Sequence, residues 1–186
     1  MEIYLITTNK NKVAEFKAVL EPEHNITQDS YDYLELRHDI PEEIVKQAAK
    51  QLVECYGKPI CVEDSGFFIE ALNDFPGTCT AYIHKRIGNK GFLKLMENKE
   101  NRKIYYKSAI GFCEPNKEPV TFLGEEEGTI AEKETGTQGW GQDAIFIPKN
   151  QTQTYGELRK SGDVNIFRKK ALEKFKEFLE NKETKK

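Results

Sequence analysis

The chain has 186 residues, with 28 Lys and Arg against 31 Asp and Glu and a formal net charge of −3. That length suits one domain or two small lobes sharing a core. Eleven Phe, eight Tyr and one Trp require burial, which excludes a disordered chain, and the negative balance excludes wrapping of duplex DNA by charge alone while leaving room for a small cationic phosphate pocket.

Ile3 to Thr7 predicts a short apolar strand, and Asn9 to Leu20 a helix with Val13, Phe16 and Leu20 at helical spacing. A strand running straight into a helix opens an α/β unit. A second helix is expected from Asp39, with Asp39 and Glu42 as a capping box and Pro41 in the first turn. Ile44, Ala48, Leu52 and Cys55 form its apolar stripe, and Gly57 then Pro59 stop it. Pro59 to Val62 reads as a short buried strand delivering Glu63-Asp64-Ser65-Gly66 at its C-terminal end. Ile104 to Phe112 alternates as a half-buried strand, 115–119 is a turn, and Val120 to Leu123 starts the return strand. The run Glu125-Glu126-Glu127 reads as a solvated strand face. Phe167, Ala171, Leu172, Phe175, Phe178 and Leu179 make the buried stripe of a last helix, and residues 181–186 a frayed, flexible tail. The expected fold is α/β: an elongated mixed β-sheet with flanking helices, in two lobes around a central cleft.

Four cysteines (Cys55, Cys61, Cys79, Cys113) without a C-x-x-C pair and three scattered histidines read as free, mostly buried thiols in a reducing cytosol, not as a metal site. The chain opens without a basic region before its short apolar run, and no stretch approaches the roughly 18 apolar residues of a membrane helix. A cytoplasmic protein is expected.

Four constellations could carry chemistry. Thr7-Thr-Asn-Lys-Asn-Lys12 lies at a strand-to-helix junction, where unsatisfied backbone N–H groups can receive phosphate oxygens and Lys12 can add a point charge. It lacks the glycines and the terminal Lys-Ser/Thr of a Walker A loop, and an ordinary Asn-capped helix is the plain alternative. Val62-Glu-Asp-Ser-Gly66 puts two adjacent carboxylates where α/β sheets place ligands. Neighbouring strand residues point to opposite sides, so only one of Glu63 and Asp64 can face a given pocket fully. Gly139-Trp-Gly-Gln-Asp-Ala-Ile-Phe146 sets the single Trp, which can stack on a nucleobase, beside Asp143, which can accept hydrogen bonds from base N–H edges. Arg168 stands on the first turn of the last helix.

In this order and at these separations, the four pieces resemble the inosine/xanthosine triphosphate pyrophosphatase family. The resemblance runs over nearly the whole chain: Thr7 to Lys12, Val62 to Gly77, Ile87-Gly88 with Gly91, Gly139 to Phe146, Gln153 to Leu158, and Arg168 to Ala171. It implies a single pyrophosphatase-like domain over residues 1–186 and a homodimer. It also implies Mg²⁺-dependent hydrolysis of non-standard purine nucleoside triphosphates, such as ITP, dITP and XTP, to monophosphate and pyrophosphate. Residue by residue, it implies that Thr7, Asn9 and Lys12 hold the triphosphate. Asp64 binds Mg²⁺ and acts as, or positions, the general base, with Lys12 as its catalytic partner. Ser65 contacts substrate, and Glu35 is the second acidic metal site, reached through a one-residue insertion. Trp140, Gly141, Gln142 and Asp143 meet the base, and Arg168 the base or a phosphate.

The sequence departs from the family pattern on its basic side. Ile166-Phe167 stand where the family has Ser-His before Arg168, and Gly162 where it has a Lys. Cys79-Thr80-Ala81 replace Tyr-Ser and a basic residue, Gln142 replaces an aromatic, and Ala48 a Lys. Each charge-assisted contact is worth ~1.5–3 kcal/mol. Lys85, Arg86, Arg159, Lys160 and Lys169 are the nearby cations that could substitute. A non-catalytic nucleotide-binding or structural relative is therefore the competing class, and a DNA-binding module a distant third.

Overall fold

The computed structural model describes residues 1–160, 163 and 165–184. The elements in chain order are β1 (Glu2–Ile6), α1 (Lys10–Leu20), β2 (Asn25–Asp29), α2 (Pro41–Tyr56), β3 (Ile60–Ile69), β4 (Phe75–Gly77), α3 (Thr80–Leu95), β5 (Lys103–Cys113), β6 (Val120–Ile130), β7 (Phe146–Pro148), α4 (Tyr155–Leu158) and α5 (Ile166–Glu183). Among the described residues the strands form one mixed sheet of seven, ordered β2-β1-β3-β5-β6-β7, with β4 paired to β3. This is the expected mixed α/β class, with helices flanking the sheet. The chain divides into two compact units. The first holds Met1–Asp64, Ser108–Gly124 and the C-terminal segment carrying α5; the second holds Ser65–Lys107 and Glu125–Asp163.

In the first unit β1 pairs in parallel with β2 (Ile3 opposite Ile26) and with β3 (Leu5 opposite Cys61). Parallel strands need crossovers, and α1 and α2 supply them. Ile3 and Leu5 pack with Phe16 and Leu20 of α1, Phe112 of β5, and Ala171, Leu172 and Phe175 of α5. Ile6, Ile60 and Val62 pack instead with Val45, Ala49 and Leu52 of α2. The strands are thus apolar on both sides, as parallel strands between helices must be. In the second unit Phe67 packs its ring on Phe92 and Tyr106, and the stack continues from Tyr106 through Phe146 to Tyr155.

Five local expectations change. β3 does not end at Val62 but runs to Ile69, because the apolar run resumes at Phe67 and β4 pairs with it antiparallel. Ser65 and Gly66 are therefore part of the strand. α2 starts at Pro41 without a side-chain cap; the proline holds Ile40 extended, so Asp39 cannot serve as cap. Cys55 is exposed, while Val45, Ala49 and Val53 join Ile44, Ala48 and Leu52 on the buried face. Glu126 is buried within the acidic run, where its carboxylate accepts a hydrogen bond from the Tyr155 hydroxyl. The last helix continues through Glu183, past the expected start of the tail, and the Thr184 N–H closes it on Glu180 O. Lys185, Lys186 and Gly162 lie outside the described residues. α3 had no sequence expectation: only Thr80 and Phe92 of its 16 residues are buried, and Gly88 breaks its helical dihedrals, so its apolar period is faint.

Gly66 allows the β3–β4 approach. A Cβ there would stand 2.4 Å from the Gly77 carbonyl oxygen and 2.7 Å from the Phe68 ring. Gly66→Ala should cost about 1–3 kcal/mol by overpacking. Urea unfolding should show a lower midpoint with an unchanged slope; an unchanged midpoint would mean that the β3–β4 pair yields freely.

Candidate active site

The strand-to-helix junction is organised by its own side chains. Thr7 Oγ1 accepts from the Asn9 N–H at 3.2 Å. Asn9 caps α1, its Oδ1 accepting from the N–H groups of Asn11 at 2.9 Å and Lys12 at 3.4 Å. The Asn-capped helix is therefore present, and what distinguishes this one is Lys12. Its Nζ donates to the Glu63 main-chain carbonyl at 2.9 Å and lies 2.7 Å from the Glu63 carboxylate.

Glu63 is the centre of a buried alternation of charge. Its Oε1 accepts from Ser108 Oγ and, at 3.0 Å, from Arg168 Nε. Arg168 also pairs through Nη1 with Glu15, whose Oε1 accepts from Asn165 Nδ2 at 2.7 Å. Two cations and two carboxylates thus run Lys12–Glu63–Arg168–Glu15. The side chains of Glu63 and Arg168 have no exposed surface, whereas Lys12 keeps 17% of its own. Burial pushes the Glu63 carboxyl up, but the Arg168 and Lys12 cations outweigh it and hold its pKa at about 2. Burial likewise pulls Arg168 down, and Glu63 and Glu15 more than restore it.

Arg168 therefore lies within the fold. It was expected to meet base or phosphate; its guanidinium instead faces inward, held by two carboxylates. Glu63 and Glu15 were not among the expected site residues. The signals were there: a carboxylate inside the apolar run of β3 must be paired, and Glu15 sits three residues from Lys12 on one helix face.

Asp64, the next residue on β3, is half-buried. Glu35 lies in the segment between β2 and α2, with Oε2 4.0 Å from Arg37 Nη1. The pKa of Tyr33 is pushed up to about 12, first by burial and then by the charges of Glu35 and Asp64. All three residues belong to the first unit. Among the described residues no group of three or more His, Cys, Asp or Glu side chains gathers as a metal cage.

The second unit carries the other expected residues. Ser65 opens it on β3 and is half-buried. Trp140 is 41% exposed, between Gly139 and Gly141, both in left-handed backbone. The Gly141 carbonyl accepts from Asn89 Nδ2 at 3.1 Å. Gln142 was expected to meet the base; it is buried, and its Oε1 accepts from the Tyr106 hydroxyl at 3.2 Å. Asp143 is also buried, and its Oδ2 accepts from the Trp140 N–H and from Arg159 Nη1, each at 2.9 Å. Of the candidate substitute cations, Arg159 is built into this group, whereas Arg86 lies over the Tyr82 ring and Lys169 is 3.9 Å from Glu173.

A model of the Ham1 family matches residues 3–178. A dITP/XTP pyrophosphatase of Methanopyrus kandleri is 45% identical over 183 residues, covering 97% of each chain. One of Methanosarcina acetivorans is 39% identical over 183 residues, covering 97% of this chain and 98% of its own. The solved structure of the Staphylococcus aureus Ham1 protein superposes with a TM-score of 0.87 at 25% identity, over 98% of this chain and all of that one. A match that spans both units, with relatives of this identity along their full length, leaves one assignment: the chain belongs to the Ham1 family.

Proposed function

We propose that this chain is a Mg²⁺-dependent nucleoside triphosphate pyrophosphatase that hydrolyses non-standard purine nucleotides such as ITP, dITP and XTP. One observation carries the reading. Lys12, the member of the charge alternation that reaches solvent, is clasped by the carbonyl of the Glu63–Asp64 peptide itself. A phosphate-binding cation and a candidate metal carboxylate are therefore neighbours in the first unit. The names of the full-length relatives support the substrate class. The single match over residues 3–178 supports reading both units as one pyrophosphatase-like domain.

In this reading Asp64 and Glu35 are the residues that would hold a hard divalent ion. Asp64 and Glu35 offer carboxylate oxygens, and both charges are felt at Tyr33. Two carboxylates completed by phosphate oxygens and water are the habit of Mg²⁺. When bound, Mg²⁺ neutralises charge on the phosphate chain. The chain's own residues do the rest. In this reading Thr7, Asn9 and Lys12 hold the triphosphate. Asp64 takes a proton from water as its oxygen bonds to the α-phosphorus, and the α–β bridging oxygen leaves with pyrophosphate. Lys12 offsets the charge gathering on that leaving group. Arg168 acts from behind: by keeping Glu63 neutralised, it lets Lys12 turn towards a phosphate without stranding a buried carboxylate. Ser65 contacts substrate, Trp140 and Gly141 meet the base, and Gln142 and Asp143 support them. The resemblance also carries a homodimer into this reading, and the free cysteines suit a cytoplasmic enzyme. Among the described residues no helix is long and apolar enough to cross a membrane.

Pyrophosphate release from ITP, dITP and XTP with Mg²⁺ tests the reading. Wild type should turn over, and Asp64→Asn should lose about 100-fold or more in kcat. No release across a full nucleotide panel would refute the enzyme, and nucleotide-dependent stabilisation without release would leave a non-catalytic binder. Glu63→Gln tests the charge alternation separately. A carboxyl held near 2 in the fold, against an ordinary 4.5, contributes stability that is present above about 4.5 and lost as pH falls towards about 2. Glu63→Gln should therefore be about 3–5 kcal/mol less stable at pH 7, and its deficit in denaturant unfolding should shrink steadily below pH 4.5. A deficit independent of pH would contradict the ionised pair.

A further inference from the structure

We propose that Arg159 is a specificity-determining positioning residue, which fixes how the Trp140 indole meets a purine base through an Asp143 oxygen that both residues share. The inference rests on the base-stacking reading of Trp140 given above and adds a residue to it.

The geometry begins at α4. This four-residue helix is closed by a capping box between Thr154 and Glu157 and held again by Thr135 Oγ1, which donates to Glu157 at 3.0 Å. A Cβ on Gly156 would stand 2.5 Å from the Thr135 carbonyl oxygen and 3.0 Å from Ala144 Cα. The helix is thus wedged against the turn that carries Asp143, and little of it can shift. Arg159 closes α4, its N–H donating to Tyr155 O at 3.0 Å. Its guanidinium is fixed as well: Nη2 donates to Asp163 O at 2.7 Å, and the Tyr155 ring lies 5.7 Å away. Arg159 therefore meets Asp143 as a preset fork rather than a wandering cation.

Asp143 passes that order on. The same Oδ2 that takes Arg159 Nη1 takes the Trp140 N–H, each at 2.9 Å. The Arg159 and Asp143 side chains are only 9% and 5% exposed, so water screens the pair weakly. Trp140 needs such a tether. A residue between Gly139 at φ 75° and Gly141 at φ 64° has neighbours with the widest backbone freedom available. Its indole is exposed while its peptide is pinned, which suits a stacking platform whose tilt decides which bases it accepts. Lys160 and Lys169 do not share this position: Lys160 donates its main-chain N–H to Asp163, and Lys169 lies beside Glu173.

Trp140 is the chain's single tryptophan, so its emission reports this site alone. Wild type, Arg159→Met and Arg159→Lys should be titrated with IMP, and KM and kcat measured on ITP and ATP. IMP should alter the wild-type emission. Arg159→Met should need about 10-fold more IMP or beyond, raise KM for ITP similarly, keep kcat within a few-fold, and narrow the preference for ITP over ATP. Arg159→Lys should fall between them, and it decides the matter if Arg159→Met does not fold. In an Asp143→Asn background the Arg159→Met effect should vanish. A folded Arg159→Met with wild-type IMP response and base preference overturns the proposal, as does a loss confined to kcat. If wild-type emission ignores IMP, the stacking reading of Trp140 fails and this inference falls with it.

Discussion

Glu63 carries a full negative charge on a side chain with no exposed surface, and the first unit is arranged to neutralise it. Solvation cannot help a group buried on the face of β3 that α1 and α5 cover. Two cations do so instead, one from each end of the sequence: Lys12 from α1 and Arg168 from α5. Arg168 in turn needs Glu15, and Glu15 takes a hydrogen bond from Asn165. A buried pair of this kind adds little net stability over apolar packing, yet breaking it is expensive. Its value lies in register. It ties the first helix, the third strand and the last helix at one point, and it presents one ammonium at the surface beside Asp64.

The second unit repeats the logic on a smaller scale. Asp143 is buried, so it is paired, and its partner Arg159 comes from a helix too short to move independently. Glu126, on β6, is likewise buried and takes the Tyr155 hydroxyl, whose pKa burial and that carboxylate both raise. In each case the polar side chain nearest the candidate chemistry is held by a second residue that never reaches solvent freely. Such supporting groups convert loose side chains into placed ones.

The class of fold was legible because its elements are local. A five-residue apolar strand followed by a capped helix, and a period-two run from Ile104, state themselves in the sequence. The pairing of charges was not legible, since Lys12 and Arg168 are joined only through Glu63, far from both along the chain. Pairing also explains where these side chains lie. The resemblance made Arg168 a substrate contact, and nothing local announces two buried carboxylates behind it. The resemblance set Gln142 among the substrate contacts, and nothing local announces that its amide is buried against the Tyr106 hydroxyl. The length of β3 was missed because Ser65-Gly66 has turn chemistry, which the close pairing of β4 overrides.

The central claim is that Glu63 acts through Lys12, holding the ammonium where a phosphate chain can take it. A double-mutant cycle on kcat/KM for ITP with Lys12→Met and Glu63→Gln measures that coupling directly. The account predicts strong non-additivity: once Lys12 is gone, removing the Glu63 charge should change turnover little further. Losses that simply multiply in the double variant would show that the two residues act independently, and the account would be wrong.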